Sequence, residues 1–495
     1  MSKLIFAQNT THAKTLSKML STQGLKRIRQ GIYTDAPYEK INQLVANKWY
    51  EIVNYLYPTA IASHSSAFNL RPVNGVVYIS APVKQRKKIF IADSLIIDVL
   101  PGNVDCLIER FNPSLSRSSA ARYLLENLQI SHSDVQAIKS LGKEWVENEL
   151  CKLLSKYGES ELNQIRDLVK ENAQTLQLMK EAKTLDGLIG GILTTSPIDN
   201  LDTPQAIAYA NKEPYDTNRI KLFEAFGDYL NQCQFNSSPF EYNASGWRNL
   251  SFFESYFSNY IEGTEFEIEE AEKIVFGKSM IDNRHKDSHD VLSVYDVVSD
   301  YTEMSTLPES AEELISLLKQ RHAIILHERP VKSPGKLKTK ANKAGDTVFV
   351  LPEHIKGTLT QAFPIYKALP NGLHRAIFMQ FLTTECHPFD DGNGRLARIM
   401  MNAELVAVDQ HKIIVPTVHR ESYLNGLRQA TRGGKFRTLT KVFAVLQSYT
   451  ASINWHDYGD ARTTLESHMA DKLPDQGVAV FNKEISKFKL ELPAG

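Results

Sequence analysis

Apolar positions change their period along the chain. From Thr15 to Leu25 they recur at helical spacing, and the following LKRIRQGIYT alternates about Gly31, which predicts a strand after a turn. Short helices leading into a basic strand suggest a winged helix. Val76 to Pro101 alternates and is rich in β-branched residues, so two or three strands are expected there. From Ser116 to Thr195 the period becomes helical, most clearly in ARYLLENL and VENELCKLL. These segments predict an α+β N-terminal region. TTSPIDNLDTPQ, Thr194 to Gln205, carries two prolines and few large apolar residues and reads as a linker. Beyond about Ser237 the pattern is mainly helical, broken by one hairpin between Lys336 and Leu351, and it weakens toward the end. The expected chain is multidomain: an α+β winged-helix-type region over 1–200, a linker over 201–236, a mainly α-helical domain over 237–460 and a tail over 461–495.

Length and charge narrow the function classes. At roughly 150 residues per domain, 495 residues imply two to four domains. Lys+Arg 57 balance Asp+Glu 57, which removes the global case for a histone-like or polyacidic partner while leaving room for local basic patches. A hydrophobic content of 42% with 23% charged residues excludes wholesale disorder. Cys106, Cys151, Cys233 and Cys386 have no metal-ribbon spacing and are too few to staple such a chain, which points to a reducing cytoplasm. No stretch approaches the ~18 apolar residues of a membrane span, and the N-terminus has only a short apolar run, so neither membrane nor export is expected.

The chemistry concentrates in His387-Pro388-Phe389-Asp390-Asp391-Gly392-Asn393-Gly394-Arg395-Leu396-Ala397-Arg398. Before it, LHRAIFMQFL has apolar residues at helical spacing; after it, Leu396, Ile399, Met400 and Ala403 repeat that period. The segment is therefore a helix, a glycine loop and a helix start. Pro388 ends the first helix, and Gly392 and Gly394 free the backbone to turn its amides outward. A helix N-terminus favours phosphate. Arg395 and Arg398, three residues apart, put two cations at the end where the dipole disfavours them, which makes sense if an anion sits between them. We infer a polyphosphate site. Asp391 beside it suits Mg²⁺, and His387 at the mouth of the loop is placed as a general base. Phe389 would anchor the loop by burying its ring. Cys386 and His387 cannot form a nucleophilic pair, because adjacent helical residues do not face each other.

These residues match the Fic family motif HPFxDGNGRxxR at every specified position. The resemblance implies a helical core that moves AMP from ATP to a Tyr, Ser or Thr hydroxyl of a target protein, or of the chain itself. His387 would deprotonate the hydroxyl, and Asp391 would hold Mg²⁺, with Mn²⁺ as an alternative. Gly392, Asn393 and Gly394 would form the anion hole, and Arg395 and Arg398 would hold the outer phosphates. Gly394 stands where phosphoryl-transferring relatives carry lysine, which favours AMP. SPGKLKTKANKAGDTVFVLPEHIKGTL resembles the family's β-hairpin flap, whose edge could align a target segment. IIVPTVHRESYLNGL resembles the stretch whose tyrosine, here Tyr423, borders the nucleotide.

WRNLSFFESYFSNYIEG reads as a helix ending at Gly263. Its last residues, SNYIEG, match the family's inhibitory motif [S/T]xxxE[G/N], placed ahead of the core as in class II members. Glu262 at a helix C-terminus and Arg398 at a helix N-terminus each sit at the wrong dipole end, and pairing satisfies both. The resemblance implies that Glu262 occupies the γ-phosphate position, and it also allows removal of AMP with this glutamate assisting water. At the other end of the chain, Leu25 to Tyr33, ASHSSAF, VVYISAP and SRSSAARYLLENL resemble AbiEi-type antitoxin regulators. Lys26, Arg27, Arg29, Lys84, Arg86, Lys87 and Lys88 would there either meet DNA phosphates or form a solvated basic face. ATP, a protein target, DNA and a second copy in a homodimer are thus the partners to weigh, with a DNA-binding regulator that senses nucleotide as the alternative function.

Overall fold

The computed structural model describes residues 3–22, 24–131 and 138–494. Two units result, Met1–Lys212 and Glu213–Gly495.

The first unit begins β1 (Leu4–Phe6), α1 (Thr10–Thr22), β2 (Lys26–Arg29), β3 (Ile32–Thr34), α2 (Tyr38–Asn47) and α3 (Trp49–Leu56). Gly31, at a left-handed φ of 82°, turns β2 into β3. The three strands form an antiparallel sheet in the order β1-β3-β2. One helix precedes the basic hairpin, where the sequence suggests several, and α2 and α3 follow it. Next come β4 (Ile61–Ala62), α4 (His64–Asn69), β5 (Val76–Ala81), β6 (Lys87–Ile91), β7 (Leu95–Pro101), β8 (Ile108–Asn112) and β9 (Leu115–Ser118). They build a six-stranded mixed sheet in the order β6-β7-β5-β4-β9-β8, parallel at β5/β7 and β4/β9. Central β5 is buried along its whole length, which explains its near-continuous apolar run. The expected strands of Val76–Pro101 are β5, β6 and β7. Helices α5 (Ala120–Leu128), α6 (Lys143–Tyr157), α7 (Glu159–Leu176), α8 (Met179–Ile192) and α9 (Pro204–Ala210) share one apolar core. Residues 132–137, inside the stretch expected to be helical, lie outside the described residues.

The second unit is mainly helical. It contains α10 (Thr217–Asn231), α11 (Ala244–Ile261), α12 (Ile268–Val275), α13 (His285–Ser299), α14 (Tyr301–Met304) and α15 (Ala311–Ile325). A short hairpin follows, β10 (Lys343–Ala344) with β11 (Thr347–Val348), paired antiparallel. After it come α16 (Ile355–Lys367), α17 (Leu373–Cys386), α18 (Asn393–Val406), α19 (Arg420–Gly433), α20 (Arg437–Ala451), α21 (Tyr458–Ser467) and α22 (Pro474–Ile485). Helices α17 and α18 are buried on nearly every face and pack against each other at the centre of the core.

The division at Lys212/Glu213 falls inside the span 201–236 expected as a linker. That span is itself largely helical. Pro204 occupies the first turn of α9, the Asp216 side chain caps α10, and Phe226 of α10 meets Phe381 edge-on with centroids 4.9 Å apart. Within 461–495, expected as a tail, Phe481 of α22 is fully buried and packs against Tyr449. Among the described residues no helix is long and apolar enough to cross a membrane.

Candidate functional site

Helix α17 ends at Cys386 because Pro388 cannot continue it. His387 caps it with φ 45° and ψ 58°, a left-handed conformation unusual for a residue with a side chain, held by its N–H donating to Thr383 O at 3.0 Å. The ring Nδ1 lies 3.2 Å from Thr384 O. A carbonyl oxygen only accepts, so Nδ1 carries the hydrogen and Nε2 presents a lone pair. Phe349 stacks on this imidazole at a centroid distance of 3.8 Å. Burial pulls the His387 pKa down to about 4, so the ring is neutral near pH 7.

The loop is braced from inside. Asn393, buried, accepts from Phe389 N at 3.0 Å and donates to Phe389 O at 2.8 Å. The Phe389 ring is fully buried and stacks on His322, with centroids 3.8 Å apart and planes nearly parallel. His322 Nδ1 accepts from Gly335 N, and its Nε2 donates to Asp391 O at 3.0 Å. Gly392 has φ 72°, and a Cβ there would press on Leu326. Asn342, beside the hairpin, donates to Phe389 O and accepts from the buried Lys338 ammonium, whose pKa burial lowers to about 8.

At the start of α18, the Arg398 guanidinium donates through Nη2 to Glu262 Oε1 at 2.7 Å and to Ser258 O at 2.8 Å, and through Nε to Ser258 Oγ at 3.0 Å. Glu262 caps α11, and Gly263 follows at φ 88°. The carboxylate lies so close to Gly394 that any Cβ there would overlap it. Arg395 is engaged elsewhere: Nη1 pairs with buried Asp290 at 2.9 Å and donates to Asn259 Oδ1 at 3.3 Å, while its buried Nε has no hydrogen-bond partner among the described residues. Asp391 is half-exposed. Burial pushes its carboxyl up, but the Lys332 ammonium at 3.0 Å and the Gly392 N–H outweigh that and hold it below the ordinary value.

A cavity of about 480 Å³, within the range of small-molecule sites, opens beside these groups, and its walls include His387, Phe349, Glu262, Gly394 and Tyr423. Gly345 and Thr347 of the hairpin close one side, and Arg428 and Arg432 of α19 another. Tyr423 is buried and accepts from Gln380 at 2.8 Å. Of the residues singled out in the sequence, His387, Gly394, Tyr423 and Glu262 meet on this cavity, with Arg398 reaching it through Glu262. Gly392 and Asn393 shape the loop behind. Asp391 and Arg395 belong to the same loop and helix start, but their side chains are bound to Lys332 and Asp290. The sequence offers no sign of Phe349, Asp290 or Lys332, which arrive from segments with unremarkable patterns.

Residues 314–405 match the profile of the Fic/DOC family. The chain is 25% identical to the protein adenylyltransferase Fic of Drosophila grimshawi over 183 residues, 36% of this chain and 38% of that protein. It is 26% identical to the protein adenylyltransferase Fic of Nematostella vectensis over 219 residues, 42% and 51% of the two chains. The chain thus spans between about two fifths and a half of these curated relatives. Among solved structures, Fic-1 (residues 134–508) from C. elegans aligns with a TM-score of 0.36 at 16% identity, over 65% of this chain and 89% of that one.

Proposed function

We propose that the helical unit transfers AMP from ATP to a protein hydroxyl and is restrained by its own Glu262. The observation that carries this reading is the Glu262–Arg398 pair seated on Gly394 at the cavity wall. A carboxylate there takes the place that a helix N-terminus and a guanidinium offer to an anion. Residues 314–405, with their Fic/DOC match, and relatives that bear the adenylyltransferase name support the reaction class.

In this reading the Thr384 carbonyl orients His387 so that Nε2 accepts the proton of the target hydroxyl. The hydroxyl oxygen bonds to the α-phosphorus as the bond to the pyrophosphate oxygen breaks, and pyrophosphate leaves. Gly392, Asn393 and Gly394 turn backbone amides toward the phosphates, while Arg398, once freed from Glu262, and Arg395, through its unpartnered Nε, take up negative charge. Tyr423 lines the nucleotide's place. Asp391 fits a divalent ion: its carboxylate is half-exposed and already holds a cation, the Lys332 ammonium. Mg²⁺ or Mn²⁺ bound there would neutralise phosphate charge. The hairpin, whose Gly345 and Thr347 border the cavity, would act as the flap that aligns the target strand.

Intact mass of purified Glu262→Gly after incubation with ATP and Mg²⁺ tests the reading. A gain of one AMP, absent when His387→Ala is added, is expected; no gain on the chain or on any added protein rejects it. Because Glu262 and His387 share one cavity, the same groups could also direct water to an AMP-modified protein, which would appear as AMP release lost in Glu262→Gly.

A second reading concerns the first unit. Arg29 Nη1 donates to Phe90 O at 3.0 Å, which sets basic β2 beside β6 with its exposed Lys87 and Lys88. Such a surface suits duplex phosphates. A gel shift on the protein's own promoter that weakens steeply with salt would support a DNA-binding regulator.

A further inference from the structure

A second cluster of ligand-type side chains lies on the helical unit, outside the cavity. His289 on α13, with His327 and Glu328 in the turn after α15, bring their ligand atoms within 4.8 Å of one another. The two imidazoles meet edge-on with centroids 5.7 Å apart.

The hydrogen bonding of His327 decides what its ring offers. Nδ1 lies 3.3 Å from Ile324 O and 3.4 Å from Ser293 Oγ, whose own hydroxyl donates to His289 O at 2.7 Å. Both neighbours of Nδ1 are therefore acceptors, so Nδ1 carries the hydrogen and Nε2 faces outward with its lone pair. Nε2 stands 3.1 Å from Glu328 Oε1. A lone pair and a carboxylate oxygen at that separation repel unless a cation lies between them. Only a proton or a metal ion supplies one. Two ligands at tetrahedral Zn²⁺ sit about 3.3 Å apart, given metal–ligand distances near 2.0–2.1 Å, so this pair already has nearly the required spacing.

The scaffold beneath is rigid. Asp290, next to His289, receives Nε and Nη2 of Arg329, next to Glu328, at 2.8–3.1 Å, and Arg329 Nη2 also pairs with Asp287 at 2.8 Å. This staple holds the two ligand-bearing segments together before any ion arrives, leaving the torsions of exposed His327 and Glu328 and of partly exposed His289 to adjust. Asp290 also holds Arg395, so the cluster is joined to the candidate site through one buried carboxylate.

We propose that His289, His327 and Glu328 form a binding site for a transition-metal ion of the Zn²⁺ class, with an open fourth position. Two imidazoles and one carboxylate suit this ion better than Mg²⁺ or Ca²⁺.

The test is equilibrium dialysis of the untagged full-length chain against Zn²⁺ at a pH of about 8, where free imidazoles are unprotonated, with metal analysis. One equivalent is expected for the wild type. The double variant His289→Ala/His327→Ala should lose it, and Glu328→Gln should weaken it by about tenfold or more. Asp391→Asn should keep it, which separates this site from the loop. Zn²⁺ should also raise the melting temperature of the wild type but not of the double variant, whose metal-free melting should match the wild type. Equal uptake by wild type and double variant, no uptake at all, or loss in Asp391→Asn instead would overturn the proposal.

Discussion

The ring of Phe349 lies flat on the imidazole of His387, with planes 9° apart. The residue that follows the hairpin therefore covers the histidine that follows α17, and this cover contributes to the burial that holds the His387 pKa near 4. Phe349→Ala should let water reach the ring and move the pKa up toward 6.5, by about one unit or more. An NMR pH titration of the His387 ring protons reads this directly. A titration identical to the wild type would mean that other walls of the cavity provide the shielding.

Gly394 and Glu262 should be thermodynamically coupled. A methyl at Gly394 must displace the Glu262 carboxylate, the end of a flexible side chain, and so break its bond to Arg398. Gly394→Ala is expected to cost about 1–3 kcal/mol in the wild type and much less in a Glu262→Gly background. Denaturant unfolding of the four proteins of this cycle measures the difference. Additive costs would mean that the carboxylate and Gly394 do not touch in solution.

What the sequence reveals of this site follows from how its residues are strung. His387 through Arg398 are consecutive, so a helix, a glycine loop and a helix start can be read together with the polar groups they present. SNYIEG is legible for the same reason: Ser258 and Glu262 lie on one helical turn, and both bind Arg398. Asp290, Phe349 and Lys332 contribute through pairings across the fold. Nothing in HKDSHDVL marks Asp290 as a buried partner for two arginines, since a lone aspartate on a helix usually faces solvent. The engagement of Arg395 by Asp290 was invisible for that reason. Within 201–236, which holds the division between the units, Pro204 and Asp216 serve as a first-turn proline and a helix cap.

Arg219 and Glu385, the latter on the cavity wall, form a second dependence. Glu385 is buried, and its carboxylate accepts from Arg219 Nη1 and from Thr431 Oγ1, each at 2.5 Å. Burial pushes its pKa up, and the Arg219 charge works against that. Arg219→Met would leave a buried carboxylate without its cation and should cost about 3–5 kcal/mol. Adding Glu385→Gln should recover much of this, because the neutral amide carries a smaller desolvation penalty. Urea unfolding at pH 7 measures both. A single variant as stable as the wild type would show that water, not Arg219, compensates the carboxylate.

Acid should loosen the helical unit over a defined window through His411 and His419. Burial pulls both pKa values down to about 4, and the Nδ1 atom of each is buried without a hydrogen-bond partner among the described residues. His411 faces the edge of Phe240, and His419 lies against Phe481. In the unfolded chain each titrates near 6.5. Between about pH 6.5 and 4 the unfolded state therefore binds more protons than the folded state, so the stability these rings contribute is fully present above pH 6.5 and is lost as pH falls toward 4. The slope for buried His419 approaches about 1.4 kcal/mol per pH unit, and His411, which water partly reaches, contributes less. Unfolding free energies measured from pH 7.5 to 4.5 should fall accordingly. His419→Leu, which removes the titrating ring, should flatten that fall by about one proton's worth; a variant whose pH dependence superimposes on the wild type would place the acid sensitivity elsewhere.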